Sequence, residues 1–357
     1  MTTVPMELLI LGGTKFVGRW LAELARSRGH AVTLFHRGRT NPELFPDLEH
    51  IHGDRDGGLA ALGGRRWDVV VDTCGYIPRL VRDSSALLAA ATGHYTFVST
   101  CSVYAAHDRP GRDEDDPLAR LEDPSVEKVT AATYGGLKAL CEQAVVESFA
   151  GRSLIVRPGL IVGPHDPTDR FTYWPVRLAT CPVVLGAPAE AIVEFTDVRD
   201  LAAFILDGAE RRLAGVFNIS GPGAEKIRFG ELVRECRRAI PSAAEVIFPT
   251  AEFLRGCGVS PWTDLPLWTS PDEPGFSTRS VGRAAAEGLR SRPVRETVAD
   301  TLAWAQEGAP SDAGGSAAEY RPIAAGLSRA REEEIIARWR ASGEPGSALP
   351  PGSQRKR

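Results

Sequence analysis

Short apolar runs alternate with longer amphipathic stretches along the first two thirds of the chain. Residues 7–11, 31–35, 69–72, 95–99, 154–156 and 216–219 are dominated by Val, Ile, Leu and aromatic residues and are too short for stable helices. Residues 17–28, 81–91, 134–149 and 198–211 carry helical spacing between them. This alternation predicts βαβ units and a doubly wound parallel sheet with helices on both faces. A run such as Val69-Val70-Val71 suits a strand buried on both sides.

After Gly163-Pro164 the pattern loosens. Residues 165–195 mix proline, aromatic and arginine residues with little periodicity, and residues 222–309 hold a helix at 228–240 and the proline- and tryptophan-rich stretch 257–268. These two segments are expected to form a smaller, discontinuous substrate-binding region. Residues 1–164 are the expected core, to which 196–221 returns. Residues 310–341 read as a linker (310–319) followed by an amphipathic helix (328–340), and 342–357 as a disordered Gly/Pro/Ser-rich tail.

A chain of 357 residues has room for one large α/β domain and a smaller one. The net charge of −4 gives no general attraction to nucleic acid or an anionic membrane surface. No apolar run reaches membrane-spanning length. Residues 1–11 lack the basic region and cleavage pattern of a signal peptide, so a cytoplasmic protein is expected. The six cysteines lack metal-ligand spacing and read as thiols of a reducing compartment, with no metal site expected.

The first apolar run breaks into Gly12-Gly13-Thr14-Lys15-Phe16-Val17-Gly18. Glycines let backbone N–H groups approach a pyrophosphate, and the following helix turns its positive end toward it. A strand, such a turn and a helix at this point predict a Rossmann-type dinucleotide site. After the second strand come His36-Arg37-Gly38-Arg39, where an acid would signal NAD and an arginine NADP. Arg37 and Arg39, with Lys15, suit a 2′-phosphate, so NADP(H) is favoured over NAD(H). The alternative is that they are solvated surface cations. In Gly53-Asp54-Arg55-Asp56, Asp54 suits a bond to the adenine or a plain turn, and Arg55 is carried with it as a cofactor candidate.

Tyr134-Gly135-Gly136-Leu137-Lys138 puts a phenol and an ammonium one helical turn apart on one face. A nearby ammonium lowers a phenol's pKa, which suits proton exchange with a carbinol while hydride passes to nicotinamide. A solvent-facing pair is the plain alternative. Parallel-sheet proteins present ligand groups at the carboxyl ends of strands, which selects Thr100 ahead of Ser99 and Ser102.

In order and spacing, the glycine turn, Phe97–Tyr104, Tyr134–Lys138, Arg157–Pro164 and Phe195–Ala202 resemble the extended short-chain dehydrogenases/reductases of the epimerase/dehydratase group, from residue 7 to about 220. The resemblance implies that Thr100, Tyr134 and Lys138 are catalytic, that Lys138 also holds the nicotinamide ribose, that Pro158 and Ile161 pass beside the nicotinamide, and that Thr73 and Cys74 lie beneath the cofactor. It also implies a homodimer through the helices near Val81 and Tyr134, although core packing explains their apolar residues equally well. Lys15 replaces the usual glycine and is similar to an atypical subgroup that includes chloroplast stem-loop-binding proteins. Thr100-Cys101-Ser102 replaces the Thr-Asp-Glu of sugar-nucleotide dehydratases, leaving Cys101 at the acid's position as a proton carrier or a space-filling thiol.

Aromatic and basic residues downstream, namely Arg170, Tyr173, Trp174, Trp262 and Trp268, join Tyr76 as substrate candidates for a sugar, nucleoside or natural-product-like ring. Simple packing is the alternative for each. The leading expectation is oxidation of a carbinol to a transient ketone, then epimerisation or loss of water, then hydride return. An NADPH-dependent ketoreductase is the alternative, and a non-catalytic RNA-binding protein of the same fold a third.

Overall fold

The computed structural model describes residues 4–221, 226–308 and 320–344. Seven strands form one parallel sheet: β1 (Glu7–Leu11), β2 (Ala31–His36), β3 (Glu49–His52), β4 (Trp67–Asp72), β5 (Thr92–Val98), β6 (Ser153–Pro158) and β11 (Gly215–Ile219), in the order β11-β6-β5-β4-β1-β2-β3. The order reverses between β1 and β4, where Leu11 registers with Phe35 on one side and Asp72 on the other. A crevice opens beyond the strand ends at such a switch point.

The alternation of strand side chains divides the core. Leu8 and Ile10 pack with Val69 and Val71 under α1 (Phe16–Ser27) and α5 (Val198–Glu210). Leu9 and Leu11 pack with Val70, Tyr95 and Phe97 under α2 (Pro78–Leu88) and α3 (Tyr134–Ser148). Each such Leu or Ile, wholly removed from water, contributes roughly 1.5–3 kcal/mol. Both faces are therefore apolar, as the unbroken valine run of β4 requires.

A second core collects β7 (Ile161–Val162), α4 (Tyr173–Thr180), β8 (Val183–Leu185), β9 (Ile192–Val193), α6 (Phe229–Ala239), β13 (Glu245–Ile247), α7 (Ala251–Gly256), α9 (Val294–Glu307) and α10 (Arg329–Ser342). Between these segments β10 (Thr196–Asp197) pairs with β7, and β12 (Ile227–Arg228) pairs with β9. The short α8 (Gly282–Ala286) packs against β11. Residue 165 onward is more regular than its sequence suggests, because α4 and α9 are helices. Within α9 the stripe Val298, Leu302 and Ala305 is interleaved with buried Thr297 and Thr301, which blurs the apolar period. Thr297 is tied down by a 2.8 Å bond to Asp197. α10 is built into this core: Trp339 packs on Phe253 at 4.7 Å, and Glu332 accepts the Leu185 N–H at 2.9 Å. The expected linker at 310–319 and the tail from 345 lie outside the described residues. Among the described residues, no helix is long and apolar enough to cross a membrane.

Candidate active site

Two connected depressions lie along the carboxyl ends of the strands. The first, of about 560 Å³, is lined by residues 11–18, Arg37, Arg39, Asp54, Arg55, Thr73 and Cys74. Gly12 and Gly13 have φ of 112° and 100°, a region that glycine adopts freely. A Cβ on Gly12 would lie 2.4 Å from the Thr73 hydroxyl, and one on Gly18 would lie 2.6 Å from the Gly13 nitrogen. The turn therefore closes onto α1 only with glycine at these points. The N-terminus of α1 carries no side-chain cap, so its first N–H groups are open to an anion. This cradle fits a dinucleotide pyrophosphate. Phe16, at φ 39°, is a non-glycine residue held in the left-handed region where the turn enters the helix.

Beyond it, Lys15, Arg37 and Arg39 are exposed at the end where the adenosine ribose would lie. The loop that carries the two arginines is held by His36, whose Nδ1 accepts the Gly38 N–H at 3.0 Å and whose Nε2 meets His50 at 2.7 Å. Asp54 caps its own turn by accepting the Asp56 N–H and stands 4.0 Å from Arg37. Thr73 donates to the Leu11 carbonyl at 2.9 Å, and the Cys74 sulfur faces the same oxygen. Arg55 touches the groove, but its guanidinium is spent inside. It forks onto Asp72 at 2.8 and 2.6 Å and reaches Ser84 and the Leu80 carbonyl. Arg55 thus lines the groove with a guanidinium already held by partners inside the protein.

The second depression, of about 1200 Å³, brings together Thr100, Cys101, Tyr134, Lys138, Pro158, Ile161, Tyr76, Arg170 and Trp262. Tyr134 opens α3 and Lys138 follows one turn later on the same face. The Lys138 ammonium donates to the Gly75 and Val98 carbonyls at 2.6 and 2.7 Å and lies 4.0 Å from the centre of the Phe97 ring. Burial pulls it down to about 8. The expected lowering of the Tyr134 pKa is reversed. Burial raises it, and the Thr100 side chain pulls the other way. Thr100 also caps the turn after β5, accepting the Ser102 N–H at 3.1 Å.

Cys101 lies with these groups; its sulfur is turned to the Arg157 carbonyl at 3.0 Å, and burial raises the thiol to about 11, which favours the protonated form over a reactive thiolate. Tyr173, Trp174 and Trp268 are buried in the second core, with the Trp174 indole donating to the Pro266 carbonyl. Packing, the plain alternative, describes these three. No sequence signal marked the buried ion pair Glu142–Arg157 at 2.6 Å, on which Ser99 also donates, nor Glu194–Lys226 at 2.7 Å on the cleft wall. Nor did one mark Arg279. These residues lie far apart in the chain and meet only through the fold.

No family model matches the chain. A chloroplast stem-loop binding protein of 41 kDa from Arabidopsis thaliana is 28% identical over 65% of this chain; the match spans 63% of that protein, less than two thirds of its length. The dTDP-6-deoxy-L-talose 4-dehydrogenase (NAD(P)(+)) of Kitasatospora kifunensis is 26% identical over 80% of this chain and 95% of its own. Among solved structures, UDP-glucuronic acid 4-epimerase from Bacillus cereus, in complex with NAD, superposes with a TM-score of 0.62 at 15% identity, covering 86% of this chain and 99% of that one. The chain shares the Rossmann-type fold of that NAD-bound epimerase. In that fold the glycine cradle and the Tyr134 cleft occupy the crevice at the switch point between β1 and β4.

Proposed function

We propose that the protein is a nicotinamide-dependent epimerase/dehydratase-type enzyme that oxidises a carbinol of a sugar-, nucleoside- or natural-product-like substrate. The observation that carries this reading is the continuity of the two depressions. Phe16, Val17, Thr73, Tyr76 and Pro167 line both, so a dinucleotide lying on the cradle would enter the cleft that holds Tyr134. The nicotinamide would supply a reversible hydride acceptor there. Tyr134 exchanges the proton of the substrate oxygen, and Thr100 hydrogen-bonds that oxygen. Lys138, fixed between two carbonyls, supplies positive charge behind the site and a donor for the nicotinamide ribose. Pro158 and Ile161 form the wall beside that ring.

Oxidation to a ketone acidifies the neighbouring C–H, which permits inversion or elimination before the hydride returns. NADP(H) is favoured by the exposed Lys15, Arg37 and Arg39. The alternative, NAD(H), is the nucleotide named in the Bacillus cereus complex. The same cations suit a net NADPH-dependent ketone reduction as a second reading. Six free thiols suit a cytoplasmic location. Outward-facing Leu87 on α2 and Val146 on α3 suit pairing of two copies.

Turnover in deuterated water, with a panel of sugar nucleotides and no added reductant, tests the recycling reading. Solvent deuterium entering a carbon-bound position, with no net change in the nucleotide's redox state, is the expected result. No turnover under these conditions, with stoichiometric consumption of NADPH once NADPH and a panel of ketones are added, would assign the ketoreductase reading instead.

A further inference from the structure

We infer that the cleft holds a negatively charged oxygen group of the substrate, a carboxylate or phosphomonoester borne close to the reacting carbon, at Arg279, with Arg170 farther along the same wall. The inference rests on the reading of this cleft as the substrate site. Arg279 is 2% exposed and lines the cleft. Its Nη1 donates to the Phe276 carbonyl at 2.5 Å and its Nη2 to the Nδ1 of His107 at 2.8 Å. Burial, followed by Arg279 itself, lowers His107 to about 4, so the imidazole is a neutral acceptor. Among the described residues, the Nε of Arg279 finds no acceptor.

The other fully buried arginines among the described residues are matched by carboxylates: Arg112 by Asp108 and Asp116, and Arg157 by Glu142. Arg279 instead lies against the rings of Tyr104 and Phe276, at 5.6 and 5.2 Å. A guanidinium removed from water with a free donor and no counter-charge is unfavourable unless an anion completes it.

The rest of the wall points the same way. Arg170 lies 5.1 Å from the Trp262 ring, with Asp166 as its charged neighbour beyond ion-pair distance. Trp262 packs on Phe276 at 5.3 Å, and Phe276 on His107 at 5.2 Å. Arg170, Trp262, Phe276, His107 and Arg279 thus form one continuous face. Trp262 sits at φ 67°, a strained setting for an aromatic residue. Glu194, on the same cleft, is already neutralised by Lys226. Arg279 lies 5.6 Å from the ring of Tyr104, which ends the turn that Thr100 opens, and Thr100 and Arg279 line the same cleft. The anion would therefore lie on the Thr100 side of the cleft, and Arg279 is not part of the dinucleotide groove.

The test titrates the full-length protein, saturated with NADP+, with malonate, inorganic phosphate, the neutral isostere malonamide and UDP, followed by calorimetry and tryptophan fluorescence. Malonate or phosphate should bind and malonamide should not, and the stronger of the two names the anion's chemistry. Arg279→Gln should weaken that binding about 10- to 100-fold, the usual loss for a charged hydrogen-bond partner, and Arg170→Gln by a smaller factor. Equal binding of malonamide, unchanged affinity in Arg279→Gln, or Arg279-dependent binding of UDP alone would overturn the inference. If Arg279→Gln does not fold, competition between malonate and phosphate in the unaltered protein decides, and lack of competition overturns it. NADP+ binding in the same samples separates the two readings. A protein that binds the nucleotide but no anion refutes only this inference, whereas one that binds neither refutes the redox reading as well.

Discussion

Replacing Tyr134 by phenylalanine is expected to leave nucleotide affinity unchanged and to lower turnover by on the order of 10²–10⁴-fold, the range associated with a positioned proton-transfer group. The argument is geometric. Tyr134 begins α3 beside the cleft, its ring 6.5 Å from that of Tyr76, and it makes no packing contact that the phenylalanine ring would lose. Its hydroxyl is what distinguishes it, and the Thr100 side chain interacts with that hydroxyl. Burial raises the phenol, so Lys138 by itself does not bring it toward neutral pH. Measured by steady-state kinetics beside a nucleotide titration, a variant with full turnover would remove Tyr134 from the proton-transfer role.

Arg55→Ala is expected to destabilise the fold by about 3–5 kcal/mol, the usual cost of removing one partner from a buried ion pair. The side chain of Asp72 is 0% exposed and that of Arg55 only 10%. Burial alone would raise the Asp72 carboxyl, yet the Arg55 guanidinium more than reverses this and leaves it below its ordinary value. A depressed carboxyl contributes stability above its unfolded-state pKa, and this contribution disappears as pH falls through the folded value. Without Arg55, the carboxylate at the end of β4 would keep, among the described residues, hydrogen bonds from the Tyr95 hydroxyl at 3.0 Å and the Cys74 N–H at 3.1 Å and the more distant charge of Lys138. Urea denaturation at neutral pH measures the loss. A change below about 1 kcal/mol, the range of an exposed pair, would mean that water reaches Asp72 and that Arg55 is free to meet the cofactor.

The sheet was legible because its strands are apolar on both sides and its helices on one, so that two periods alternate plainly along the chain. The cradle was legible because close backbone approach admits only glycine at Gly12 and Gly18. Tyr134 and Lys138 were legible because a helix puts residues four apart on one face. The second lobe was harder to read. Aromatic residues such as Trp174 and Trp268 serve a core and a ligand equally well in sequence, and only burial assigned them to the core. Arg55 looks like a groove cation until Asp72, 17 positions away, is seen to hold it. Arg279 and His107 are separated by 172 positions. No local pattern records that they meet, or that the Arg279 Nε lacks a partner among the described residues.

The central claim is that the cradle holds a nicotinamide dinucleotide whose hydride is recycled in the Tyr134 cleft. Mass spectrometry of the nucleotide released when freshly purified protein is denatured tests it most directly. A stoichiometric oxidised dinucleotide, NADP+ ahead of NAD+, is the expected result. A protein that releases no dinucleotide, and binds neither NADP(H) nor NAD(H) when they are added, would contradict it.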